Sequence, residues 1–259
     1  MMQPGFVSNF SSPIQRRVTP LGELIAVGDG GNIMGNRGCL HGEKAQIGRI
    51  QERRPWIICR LNSGRRHQPD IYSNQYTEMY FWDEATALSA GHRPCYECSR
   101  AKYIAFVKAW KIGNSDLVGS AGWKISALDS RLALDRVTET GAKQIYREKI
   151  DTLPSGVFIS LNIDGASYAV LIYDNKLLLW SPSGYRSSRL KPKNIEVDVI
   201  TPRSTVNALK AGYLPSIELP AYSLMPVDYY ELFDDSPGTS SKKLRSKEIN
   251  KLFLKNHES

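Results

Sequence analysis

The chain has 259 residues, of which 41% are hydrophobic and 10% aromatic, and a formal net charge of +8. This is enough chain for one large domain or two small ones without covalent staples, and the composition is that of an ordinary globular protein. No apolar run approaches the ~20 residues that a bilayer demands, so no membrane partner is expected.

The basic excess is uneven. Residues 1–111 carry fifteen Lys/Arg against nine Asp/Glu, residues 112–240 thirteen against fifteen, and residues 241–259 six against two. A basic surface attracts polyanions by releasing counterions, with no need to read bases, so the N-terminal half and the tail become candidates for nucleic-acid contact. Residues 1–20 lack the apolar stretch and small-residue cleavage site of an export signal. Four cysteines in such a chain point to reduced thiols and a metal in a cytoplasmic setting rather than to two disulfides.

In chain order, residues 1–17 are rich in Ser, Pro, Asn and Gln and read as a mobile arm ending in Arg16-Arg17. Residues 18–27 suggest a hairpin or edge strand broken at Pro20-Leu21-Gly22. A turn at residues 28–32 leads into Ile33-Met34-Gly35-Asn36-Arg37-Gly38-Cys39-Leu40-His41, where Asn36-Arg37 between glycines could hold a phosphate. Eight Lys/Arg then fall between Arg37 and Arg66, including Arg53, Arg54, Arg60 and Arg65. Trp56 to Leu61 is a short β-type run that places Cys59 near a strand end. Residues 71–82 are aromatic and β-prone.

Asp83 is a good N-cap for a short helix, with Gly91 as its stop. Pro94 and Cys95 open a second helix, along which Tyr103, Phe106, Val107 and Trp110 recur at helical spacing, the signature of a core-facing stripe. Residues 116–152 read as a weakly helical connector. Residues 157–161, 168–173 and 177–180 are three strands separated by Asp164-Gly165 and Asp174-Asn175, an antiparallel meander. Residues 195–200 give a fourth strand, and residues 205–211 a short helix stopped by Gly212. The tail, 234–259, reads as basic and mobile. The expected fold is α+β: a zinc-knuckle domain over 18–115 with a small sheet and two helices, and an antiparallel β domain over 153–233.

Zinc favours four ligands drawn from Cys and His. Cys95-x-x-Cys98 forms a knuckle at a helix start, where backbone N–H groups favour thiolates. Cys59 is the natural third ligand. Cys39 ranks first for the fourth, with His41 and then His67 as alternatives.

Phe81-Trp82-Asp83, an Ala-rich turn and Gly91-His92-Arg93-Pro94-Cys95-x-x-Cys98 together resemble the second half of the metal-binding domain of the Ada DNA methylation-repair proteins. The resemblance covers about twenty residues. It implies a zinc knuckle and a basic surface facing DNA. In that family two cysteines four apart supply the first ligand pair, one of them accepting a methyl group from a DNA phosphotriester. Cys59 matches the first, but Ser63 stands where the second would be, so methyl transfer does not carry over. Met34 to Gly38, Tyr76 to Cys98 and Thr201 to Val206 with Ala211-Gly212-Tyr213 also resemble a family of uncharacterised bacterial proteins, a likeness that brings no activity with it.

These readings give three candidate functions. The favoured one is zinc-stabilised nucleic-acid binding, DNA above all, in a repair or damage-related setting, with Arg37, Arg53, Arg54, Arg60, Arg65 and Arg66 on phosphates and Trp56, Tyr72 and Tyr76 available to stack on bases. The second is a metal-dependent hydrolase or nuclease using Glu78 or Glu84 as general base beside the metal. The third is a zinc-stabilised protein-interaction module.

Overall fold

A computed structural model describes residues 15–27, 31–41, 47–61, 76–118, 123–163 and 166–219. The tail, most of the expected arm, Arg65, Arg66, His67 and Tyr72 lie outside these residues. The class is α+β, with two sheets of six strands each.

The first sheet contains β1 (Gln15–Val18), β2 (Leu24–Ala26), β3 (Ile33–Asn36), β4 (Ile57–Cys59), β5 (Met79–Phe81) and β6 (Arg93–Pro94). Their order is β2-β1-β5-β3-β4-β6, with β1 parallel to β5, β4 parallel to β6 and the other pairs antiparallel. β1 therefore starts within the stretch expected as an arm. Helix α1 (Glu84–Ser89) follows β5 directly. Asp83 caps it, accepting from the Thr86 backbone N–H at 2.8 Å and the Thr86 hydroxyl at 2.7 Å. Gly91 ends the turn at φ +93°, a left-handed conformation that glycine adopts without a Cβ penalty.

Helices α2 (Arg100–Gly113) and α3 (Ile125–Arg136) come next. The expected stripe faces inward, with Phe106 and Trp110 buried and Tyr103 and Val107 half-buried. The segment expected as a connector holds α3 and then β7 (Tyr146–Lys149), which joins the second sheet. Three further strands match the expected meander: β8 (Phe158–Ile163), β9 (Ala166–Tyr173) and β10 (Lys176–Ser181). β11 (Gly184–Leu190), β12 (Glu196–Val199) and helix α4 (Arg203–Lys210) complete the order β11-β10-β9-β8-β12-β7, antiparallel throughout. The sheet thus has six strands where four were expected, the additions being β7 and β11.

Along β9 the consecutive residues Val170, Leu171 and Ile172 are all 0% exposed. Successive strand side chains point to opposite faces, so this sheet is covered on both. Val170 and Ile172 join Val18, Met79, Phe81, Leu88, Phe106, Trp110, Leu128 and Val199 in one core that runs through both sheets and the helices. Leu171 faces the other way, with Phe158, Leu178, Tyr185 and Ala85. The two halves share their interior rather than each closing a separate one.

Asp83 ties them together. Its second carboxylate oxygen accepts from the Tyr185 hydroxyl of β11 at 2.7 Å and from the Glu218 backbone N–H at 3.3 Å. At the same contact Gly184 lies under Trp82; a Cβ there would sit 2.5 Å from the indole. Asp83→Ala removes a cap and a buried acceptor shared by the Thr86 and Tyr185 hydroxyls, for an expected loss of about 3 kcal/mol. Tyr185→Phe is expected to lose about 1–2 kcal/mol, and the double variant less than the sum because the two changes remove one shared bond. Urea unfolding of the four proteins checks this, and an Asp83→Ala loss below ~0.5 kcal/mol would remove Asp83 from its central role.

Candidate metal centre

Cys59, Cys95 and Cys98 form a group whose sulfurs all lie within 4.8 Å of one another. The strand register brings the first two together. β4 and β6 run parallel with Ile57 beside Arg93 and Ile58 beside Pro94, so Cys59 and Cys95 leave the sheet side by side. The Cys95 N–H donates to the Ile58 carbonyl at 3.0 Å. The chain then turns, Ser99 N–H returning to the Cys95 carbonyl at 3.0 Å, which swings Cys98 back beside Cys95 just before α2.

The electrostatics suit a cation. Cys95 is drawn down to about 5, first by a hydrogen bond from the Cys59 thiol and then, against burial, by the backbone N–H groups of Cys98 and Glu97. Cys59 is pushed up, because it donates to Cys95, because it is buried and because Cys98 and Cys95 repel a further negative charge. One thiolate held by a neighbouring thiol and two backbone donors is a site where the remaining protons leave once a metal supplies positive charge. Three sulfurs supply three of the four ligands that structural zinc takes, and they suit other thiophilic ions as well; no fourth ligand joins them among the described residues.

Cys39, expected as a fourth ligand, is not in this group. The physical reason is strand direction. β3 pairs antiparallel with β4, with Met34 opposite Cys59 and Asn36 opposite Ile57, so the chain moves away from Cys59 as it continues toward Cys39. There the Cys39 N–H donates to Glu52 Oε2 at 2.7 Å, and its thiol donates to the His41 carbonyl at 3.4 Å. His41 is also turned elsewhere, its Nδ1 lying 2.6 Å from the Thr77 hydroxyl.

The other expected site residues separate into three groups. Arg53, Arg54 and Arg60 are exposed on either side of β4, the strand that ends in Cys59. Arg37 is 2% exposed, with its guanidinium 3.8 Å from the centroid of Trp56, which is itself 2% exposed. Glu78 is half-buried just before β5, whereas Glu84 is buried with both oxygens engaged. Glu84 Oε1 accepts from the Tyr213 hydroxyl at 2.5 Å, and Oε2 accepts from Lys102 Nζ at 2.7 Å and the Ser216 N–H at 2.9 Å.

Beside the cysteines a cavity of 310 Å³ is lined by Cys59, Arg60, Asp83, Glu84, Ser99 and Lys102 among others. Lys102 and the segment around Ser216 had no signal in the sequence; Lys102 reaches Glu84 from the next helix and Ser216 from far along the chain. No protein-family model, no curated protein and no solved structure matches this chain.

Cys59→Ser is expected to lose bound metal, whereas Cys39→Ser is expected to retain it, as measured by atomic absorption on protein loaded with zinc. Because the ligands must be deprotonated, affinity should fall steadily as pH is lowered toward the value near which Cys95 takes up its proton. A Cys39→Ser protein stripped of metal would place that thiol in the site.

Proposed function

We propose that this chain is a zinc-stabilised nucleic-acid-binding protein that acts on DNA in a repair or damage-related, cytoplasmic setting. The observation that carries the reading is the cysteine group at the end of β4, with exposed arginines on both sides of that strand. Cys59, Cys95 and Cys98 would hold the metal. Zinc held there would act as a structural clamp; complete four-ligand sites of this kind contribute about 10–16 kcal/mol of apparent folding free energy. The clamp fixes β4, β6 and the start of α2 relative to one another. That in turn fixes Arg60 on β4's end and Arg100 and Lys102 on the first turn of α2, all exposed to solvent.

In this reading residues 18–115 are the zinc-knuckle part that meets the nucleic acid, and the antiparallel sheet braces it through the shared core. Arg53, Arg54 and Arg60 contact phosphates, with Arg65 and Arg66 as further candidates by sequence. The likeness of residues 81–98 to the Ada metal domain supports DNA and a repair setting.

A second reading, a metal-dependent hydrolase or nuclease, is favoured by the cavity at Cys59, which holds Asp83, Glu84 and Lys102. Glu84 would have to release two hydrogen bonds and an ion pair before serving as a base, so binding is the better-supported function.

Affinity for duplex DNA should fall linearly in log–log form with salt. The double variant Arg53→Ala with Arg54→Ala should reduce the slope by about 2 and weaken binding alike at all sequences, since phosphate contacts carry no base information. Fluorescence anisotropy at several salt concentrations reads both. Binding that ignores salt, or turnover of DNA lost in Glu84→Gln with binding retained, would replace this reading with another.

A further inference from the structure

Under the exposed residues 51–55 lies a group of cations with little negative charge to balance it. The guanidinium of Arg37 stands 3.8 Å from the ring centroid of Trp56 and that of Arg136 3.9 Å from it. Two planar ions cannot share one face at that height, so the indole is sandwiched between them. Arg37 is 2% exposed and Arg136 1%. His92, 0% exposed, packs against the same indole at 5.0 Å between centroids. Its Nε2 accepts from Arg37 Nε at 3.2 Å, which leaves the ring proton on Nδ1. Lys143 adds a third cationic group. Its stem is half-buried and its enclosed amine donates to the Ser89 carbonyl at 2.6 Å, close enough for Arg37 and Arg136 to repel it.

The partners these cations have are almost all neutral. Arg37 Nη1 donates to the Gly22 carbonyl at 2.9 Å. Arg136 donates to the carbonyls of Gly91 and Arg54 and to Gln51 Oε1. The carboxylate that bears on Arg136 is Asp129, which is already gripped by Arg93 through bonds of 2.6 and 2.8 Å. Three donors on the sandwich, Arg37 Nη2, Arg136 Nε and Trp56 Nε1, are buried and have no hydrogen-bond partner among the described residues, whereas the Nδ1–H of His92 is turned to the Ala87 carbonyl.

Leaving a buried ion unpaired costs several kcal/mol. Arginine does not escape by losing its proton, and a desolvated cation–π contact offsets only part of that cost. Water can fill an N–H but brings no charge. Burial, and then mutual repulsion, holds Arg37 down to about 9 and Lys143 to about 7. A bound anion removes that repulsion and the unfilled donors together.

We propose that Arg37, Arg136 and Lys143 form a buried phosphate-binding site beside the indole N–H of Trp56. Phosphate is the anion whose chemistry fits: its oxygens meet three unfilled donors and the Lys143 amine, up to two negative charges meet the excess of cations, and guanidinium is the side-chain group best matched to phosphate oxygens. A halide has one acceptor atom and a carboxylate two. The site is separate from the cysteine group and does not depend on metal. The phosphate could be a free ion or belong to a nucleic acid, and the experiment separates these sources.

Calorimetric titration of inorganic phosphate into the full chain, dialysed into phosphate-free buffer, is expected to show one phosphate per chain. Lys143→Met should weaken it at least tenfold, while Lys149→Met, an exposed lysine on β7, leaves it unchanged. Circular dichroism confirms that each variant is folded. If Lys143→Met does not fold, phosphate released by acid from desalted wild-type protein supplies the second measurement, with an expected yield near one per chain. An oligonucleotide that competes with phosphate identifies a backbone phosphate as the natural occupant; one that binds independently identifies a free ion. No binding heat together with no acid-released phosphate overturns the proposal, as does equal affinity in wild type and folded Lys143→Met.

Discussion

Asp83 receives hydrogen bonds from three separate parts of the chain: the first turn of α1, the hydroxyl of Tyr185 on β11 and the backbone at Glu218. It is 1% exposed, and burial pushes its carboxyl up against the hydrogen bonds that hold it down. A buried carboxylate in this position is tolerable only while its acceptor sites are filled. Docking of the second sheet and of the segment that ends the described chain is therefore coupled to the start of one short helix. Glu84, the next residue, repeats the arrangement with Tyr213, Ser216 and Lys102. The same helical turn thus meets the second sheet and lines the cavity beside the cysteines.

The cysteine group follows from strand direction. A parallel pair carries neighbouring residues out of the sheet on the same side, and an antiparallel pair carries them apart. β4 is parallel to β6 and antiparallel to β3, so Cys59 leaves with Cys95 and away from Cys39. Three residues of strand, Ile57 to Cys59, thereby decide which thiols meet.

Sequence alone made the local features legible. The Asp83 cap, the Gly91 stop, the α2 stripe and the three-strand meander each depend on residues a few positions apart, and each is present. β7 was hidden because Tyr146-Arg147-Glu148-Lys149 is an edge strand, polar as edges are when they resist pairing with other chains. β11 was hidden because its apolar signal is thin: Ser188 is buried there along with Tyr185. Cys59 with Cys95 and Cys98 could be read from spacing, but spacing carries no strand direction, and Cys39 was therefore assigned to the wrong end of β4. Arg37 was counted with the surface basic run because a stack on Trp56 has no signature in the chain. The long-range partners of Glu84 lay beyond any local pattern for the same reason.

The two sheets also differ in how far apart in the chain their partners stand. β8, β9, β10 and β11 are joined as successive hairpins, so each strand finds its neighbour after a short loop. The first sheet must bring Arg17 beside Tyr80 and Ile57 beside Arg93 before it is complete. Contact order slows the second kind of assembly, because the loop must close before the contacts repay it. The hairpin run β8 to β11 is then the early-forming part of the molecule although it follows the first sheet in the chain, while β12 must still close a long loop to reach β7 and β8. Cys59 precedes in the chain the strand that pairs beside it, so the cysteine group cannot close until β6 has been made.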